Sequence, residues 1–257
     1  MNSSRNIVLY AVILSLSVLS CNVWGPDLEP IEGDIFFFIS ETHSMNYYDS
    51  IKEPDIVLNM VTEQIYGQKG SLIISRFRVT KNKIVIGIKG AQQGYLCVTG
   101  PAYAAEKLEI TDGTYELKIS YDGSTDFHTV TVTDSMILIT EEDAVFTRPE
   151  TTHIYWRYPP NSFAYKISKY PAEDDFLDSV RTRSSIEEFS FPDSGGRPLF
   201  GDISSDLRFF KYENDEDFDT IGSVLKSFTE SVLTKYPEAY IGIRNWKTKN
   251  FSSYQFR

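Results

Sequence analysis

The sequence predicts a mainly β protein: an antiparallel β-sandwich followed by a smaller α+β region with one long amphipathic helix. Three observations lead there. From about residue 55 to residue 148, apolar side chains recur with period two, the spacing of a half-buried strand. Turn residues punctuate that stretch at roughly 8–12 residue spacing, as in sandwich folds. After Pro149 the period changes, and one segment repeats at helical spacing. The 257 residues include 16 Tyr, 17 Phe and 3 Trp, a supply of flat rings that suits cross-strand packing.

The strands come in order along the chain. "DIVLNMVT", "SLIISRFRV" and "KIVIGIK" alternate or run apolar, with Gly, Lys and Asn between them. "TYELKISY" puts Tyr115, Leu117, Ile119 and Tyr121 on one face, with Glu116, Lys118 and Ser120 on the other. Asp122-Gly123 follows, a tight-turn signal because Gly tolerates positive φ. "DFHTVTVTD" then returns with Val130 and Val132 on one parity, and "MILIT" and "AVFTR" come after it.

Taken together, "GTYELKISYDGSTDFHTVTVTD" resembles the paired late strands of immunoglobulin-like modules in bacterial surface proteins. The resemblance covers about 40 residues and implies that the β-sandwich expected over residues 35–148 is immunoglobulin-like and serves as a structural or binding module. It implies no catalytic residue, and the Cys-Trp-Cys signature of antibody domains is absent.

Residues 149–257 read as α+β. A short helix starts near Pro171, with Phe176, Leu177 and Val180 on one face. "EEFSF", "DLRFFKY" and "AYIGIRNW" read as strands. The long helix runs from about Asp215 to Tyr236, where Phe218, Ile221, Val224, Leu225, Phe228, Val232 and Leu233 recur at helical spacing. Asn214 or Asp215 is the expected cap, acids crowd the first turn, and Pro237 stops the helix.

At the start of the chain, residues 7–19 are almost wholly apolar and follow Arg5. The run is shorter than the roughly 20 residues needed to span a bilayer, and it fits the centre of a secretory signal. It ends in Val18-Leu19-Ser20-Cys21, which resembles the lipobox of bacterial lipoproteins. There the cysteine is acylated and the signal is cut before it, and Leu19 departs from the small residue usual at its position. The resemblance implies residues 1–20 as signal peptide, Cys21 as the lipidated residue and residues 21–34 as a tether. A conventional signal cut nearby is the alternative. Cys97, the second of two cysteines, is then a buried small hydrophobe or the partner of Cys21 in a disulfide.

The formal net charge is −11, which repels phosphate backbones and argues against nucleic acid as a partner. "PDSGGRPLF" resembles the nucleophile motif of trypsin-like serine proteases, with Pro192 in place of the leading Gly and Arg197 interrupting it. The histidine and aspartate contexts of that family are missing, so a Gly-rich turn is the expectation. His43, His128 and His153 lack close metal-ligand spacing, and His128 is expected to pack at the sandwich rim. "NDEDFD", residues 214–219, lacks the central Gly of a calcium loop and opens the long helix instead. No metal and no cofactor is expected. Asn250-Phe251-Ser252 matches a glycosylation acceptor.

The rings of Tyr155, Trp156, Tyr158 and Trp246 are the candidate ligand-stacking residues. Trp246 sits among Arg244, Lys247 and Lys249. The function expected is that of a cell-envelope lipoprotein, periplasmic or surface-exposed, acting as a non-enzymatic binding or structural module. Its partners would be the bilayer, through the Cys21 lipid, and an envelope protein or glycan. The alternative is a secreted hydrolase, on polysaccharide, using carboxylates that sequence spacing does not identify.

Overall fold

The computed structural model describes residues 28–43, 52–67, 70–92, 98–150, 153–172, 174–198 and 207–257. The protein is mainly β. Strands β1 (Leu28–Glu29), β2 (Ile35–Thr42), β3 (Asp55–Thr62), β4 (Gly70–Val79), β5 (Lys83–Gln92) and β6 (Ala102–Leu108) join β7 (Gly113–Tyr121), β8 (Ser124–Val132), β9 (Met136–Asp143), β10 (Thr147–Pro149) and β11 (Ile154–Trp156) in one sheet. Its order is β10-β2-β3-β6-β4-β5-β7-β8-β9-β11, with β1 on β5.

The period-two pattern places one face of these strands inside. Ile35, Phe37 and Ile39 of β2, Ile84 and Ile86 of β5, Leu117 and Ile119 of β7, and Ile137 and Ile139 of β9 share one core. The sheet curls around that core until its ends meet. Phe38 of β2 stacks on Tyr155 of β11 at 5.6 Å, and the Ile35 N–H donates to the Phe146 carbonyl at 2.8 Å. The turn between β7 and β8 is the one the sequence predicts: Asp122 and Gly123 both have positive φ, 46° and 79°, as a type I′ hairpin requires.

The expectation of a purely antiparallel sandwich needs correction. Three pairings are parallel: β2 with β10, β4 with β6, and β5 with β7. The hairpins β4–β5, β7–β8 and β8–β9 are antiparallel, because short connections leave no other choice. The parallel pairs join strands distant in the chain, whose relative direction a period of two does not encode.

A second, five-stranded antiparallel sheet follows, built from β12 (Ser162–Ser168), β13 (Ile186–Phe189), β14 (Arg208–Tyr212), β15 (Tyr240–Asn245) and β16 (Asn250–Ser252), in the order β13-β14-β12-β15-β16. Helices α1 (Asp175–Arg181) and α2 (Asp217–Ser231) pack their apolar faces into its core. Phe163 of β12 stacks on Phe210 at 5.4 Å and meets Phe218 of α2 at 6.0 Å. Helix α2 buries Phe218, Ile221, Val224, Leu225 and Phe228, as its spacing foretells, and ends before a 3-10 turn at Leu233–Lys235.

Its cap differs from expectation. Glu216 occupies the cap position with no side-chain bond, and the Asp217 carboxylate instead accepts from the Asn214 N–H at 2.8 Å. Asp215 pairs with Lys247 at 2.7 Å, and Asp219 pairs with Lys249. The acids of residues 214–219 are thus spent on the helix start and on the neighbouring strand turn.

Candidate functional site

The four aromatic candidates lie where the two sheets meet. Tyr155 is half-buried on Phe38, and its hydroxyl points to Glu150 at 3.4 Å. Burial and the Glu150 charge push that hydroxyl's pKa up. The Trp156 indole N–H donates to the Ser194 carbonyl at 2.8 Å. Tyr158 is buried in the second core and meets His43 at 4.9 Å. Trp246 is also buried there, with Lys247 over its ring at 4.7 Å. Phe163, Tyr165 and Tyr170, neighbours of these in sequence, are core residues.

The Gly-rich loop explains part of this packing. Gly196 exchanges backbone bonds with Ile154 and Trp156 at 2.7 and 2.8 Å. A Cβ on Gly196 would sit 2.6 Å from the Tyr155 ring, and one on Gly195, whose φ is +103°, would sit 2.9 Å from the Ile154 carbonyl. "SGG" is therefore the loop that lies against β11, and the Ser194 carbonyl, not its hydroxyl, is the group in use.

Beneath the rings is a polar joint. Glu41, at the end of β2, is 7% exposed. Its carboxylate accepts from Arg157 Nε and from the Tyr158 N–H, both at 2.7 Å. Arg157 also donates to Asp112 at 2.8 Å and to the Thr133 carbonyl. Burial holds the Glu41 pKa above the usual carboxylate value, and the bonds from Arg157 and Tyr158 offset this only in part. His43, two residues on, is pushed down to about 4 by burial and by the Arg244 charge, so it is neutral at pH 7. One guanidinium thus ties β2, the loop before β7 and the turn after β8 to the segment that enters the second sheet.

A second polar cluster lies inside the large sheet. Asp126 Oδ1 accepts from the Val145 N–H, while Oδ2 accepts from the Phe146 and Thr147 amides and the Thr147 hydroxyl, all within 2.9 Å. His128 Nε2 lies 2.8 Å from Thr147 Oγ1. Since the threonine proton goes to Asp126, Nε2 must be the donor to that oxygen. Nδ1 then faces the core without a bond, and His128 packs edge-on to Phe37 at 4.7 Å. The chain Asp126–Thr147–His128 resembles a charge relay in its order of groups. All three residues are fully buried, so no substrate reaches it. It fixes the turn from β9 to β10. His128 is interior, not at the rim as its sequence context suggested.

The outer face of β4, β5, β7 and β8 carries a shallow hollow of about 410 Å³. The register sets out its rows. Arg76, Gly87, Ser120 and Thr125 face outward side by side, as do Arg78, Val85, Lys118 and Phe127 in the next row. Ser75 is the extra residue of a β-bulge, and its hydroxyl donates to the Gly87 carbonyl at 3.0 Å. Any side chain at Gly87 would meet that hydroxyl at 2.9 Å, so the floor stays open. Lys118 lies over Phe127 at 5.7 Å. Among the described residues, Arg76, Arg78 and Lys118 form no ion pair. Sequence reading missed this face, although the outward alternation of Lys118 and Ser120 was its signal.

Cys21 and Cys97 lie outside the described residues. Comparison with family models, with curated proteins and with solved structures returns no match.

Proposed function

We propose that this chain is a lipid-anchored protein of the cell envelope, held at Cys21, and that it acts as a non-enzymatic binding module. On this reading residues 1–20 are the export signal, the tether expected over residues 21–34 shortens to residues 21–27 because Leu28–Glu29 pairs with β5 and Ile31 joins the core, and residues 35–148 are an immunoglobulin-like module that presents the binding face. The lipobox-like Ser20-Cys21 at the end of an apolar run supports the anchor. The binding role rests on one observation: in a chain of net charge −11, Arg76 and Lys118 line an open hollow and Arg78 stands in the same row as Lys118, all three without carboxylate partners among the described residues. Charges of the minority sign gathered on one face attract a partner of opposite charge. The hollow's lining includes one carboxylate, Asp122, whereas two-acid glycoside hydrolysis needs a facing pair.

Intact mass of the protein extracted from its native membranes tests the anchor. A chain beginning at acylated Cys21 is expected, and an unmodified N-terminus in the medium would overturn it. A photo-crosslinking residue at Val85 is expected to yield envelope adducts, while one at Lys226 on α2 is not. Adducts at Lys226 alone would move the binding face elsewhere.

A further inference from the structure

The reading above leaves the partner's chemistry open, and the edge of β4 narrows it. Strand β4 pairs with β5 along its length, but with β6 only at Gly70 and Ser71. From Leu72 to Val79 its other side has no strand partner among the described residues, and Ser75, Arg76, Phe77 and Arg78 are all exposed. An unpaired edge presents a row of backbone donors and acceptors ready to accept another strand.

The two faces of this edge differ in chemistry. Arg76 and Arg78 pair with Gly87 and Val85 and face outward. Phe77 and Val79 pair with Ile86 and Ile84, which are buried, so they share the inner face. Phe77 is nonetheless 37% exposed, because nothing described lies beyond β4 to cover it. A strand added here would place alternate side chains beside the arginines and beside Phe77.

Resting on the binding reading above, we infer that the partner contributes an extended peptide segment alternating acidic and apolar residues, which adds to β4 as a new edge strand. Acidic side chains lie opposite Arg76 and Arg78, roughly 7 Å apart along the strand. Apolar ones close over Phe77 and Val79. Main-chain bonds supply affinity and the alternation supplies register. The arginines also repel basic strands, which restricts pairing at this edge. A second copy of β4 would set arginine against arginine, so self-pairing at this edge is disfavoured.

The test uses the full chain and a fluorescent peptide of roughly eight residues alternating glutamate and valine. Its binding is compared with that of the same peptide N-methylated at alternate amides, and with heparin as a polyanion that has no strand-forming backbone. Strand addition predicts four results. The parent peptide binds and slows amide exchange over residues 72–79. N-methylation abolishes binding. The exposed double variant Arg76→Glu/Arg78→Glu weakens it at least about tenfold while keeping the wild-type unfolding midpoint. Lys118→Glu, on the same face but two strands from the edge, weakens it by a smaller factor than the arginine pair does.

Equal binding of the N-methylated peptide, or heparin binding lost equally in Lys118→Glu and the arginine pair, would show a polyanion lying across the face and overturn strand addition. Failure of the peptide to bind would also overturn it. If crosslinks at Val85 persist in that case, the binding reading survives without the strand. If they vanish as well, both fail.

Discussion

Asp126, inside the curled sheet, and Glu41, at the joint between the sheets, are both almost wholly removed from water. Their proton affinities nevertheless move in opposite directions. Burial works against the charge of each. In Asp126 it is outweighed by the backbone N–H groups of Val145, Phe146 and Thr147 and the Thr147 hydroxyl, and its pKa falls below the usual value. In Glu41 burial prevails over Arg157 and the Tyr158 N–H, and the nearby Asp112 charge adds to the rise. Donors fixed by one turn's backbone are aimed at Asp126 alone. The guanidinium at Glu41 is shared with Asp112 and with the Thr133 carbonyl. The number of dedicated donors, more than the presence of a cation, sets the direction in which each of these two buried carboxyls is shifted.

The largest effect expected from breaking this contrast is at Asp126. Asp126→Ala orphans the amides and the hydroxyl that hold the β9–β10 turn, and should cost about 3–5 kcal/mol in urea unfolding. A loss below about 1 kcal/mol would mean that water replaces the carboxylate and that the turn is not anchored there.

Arg157→Leu comes next. It strands Glu41 in the joint and should cost about 3 kcal/mol at pH 7. The variant's Glu41 pKa then rises further above its unfolded value of 4.5. The folded state takes up the proton first as pH falls, so the penalty should shrink by about pH 5. A penalty independent of pH would point to lost packing instead of a stranded charge.

His43 gives the smallest expected effect. Its folded pKa lies at about 4 against 6.5 unfolded. Above pH 6.5 both states are neutral and its contribution is complete. Between there and about 4, the unfolded chain binds the proton and stability is lost. His43→Phe keeps a ring on Tyr158 and should be steadier than wild type by about 1 kcal/mol at pH 5, after allowing for partial solvent access. The slope left in the variant belongs in part to His128, which burial also shifts down.

The joint also marks where reading the chain alone stopped. Tyr155, Trp156 and Tyr158 drew attention as a run of rings, but a ring that stacks on a ligand and one that stacks on Phe38 look the same in sequence. The seating of Trp156 depends on a loop 38 residues away, through the Ser194 carbonyl. "SGG" suggested a turn, and its glycines turned out to be set by contact with β11.

Local rules determined the strands and helices of this protein. Period two set β7 and β8, Asp-Gly set the turn between them, and the apolar spacing of Phe218 to Phe228 set α2, because each depends on residues a few positions apart. Tertiary structure alone decided the parallel pairing of β5 with β7, the joining of Glu41 to Arg157 across 116 positions, and the edge of β4 that no described strand covers beyond Ser71. Each of these depends on which distant strands lie side by side. Loop closure and core packing settle that choice, and the alternation within a strand carries no record of it.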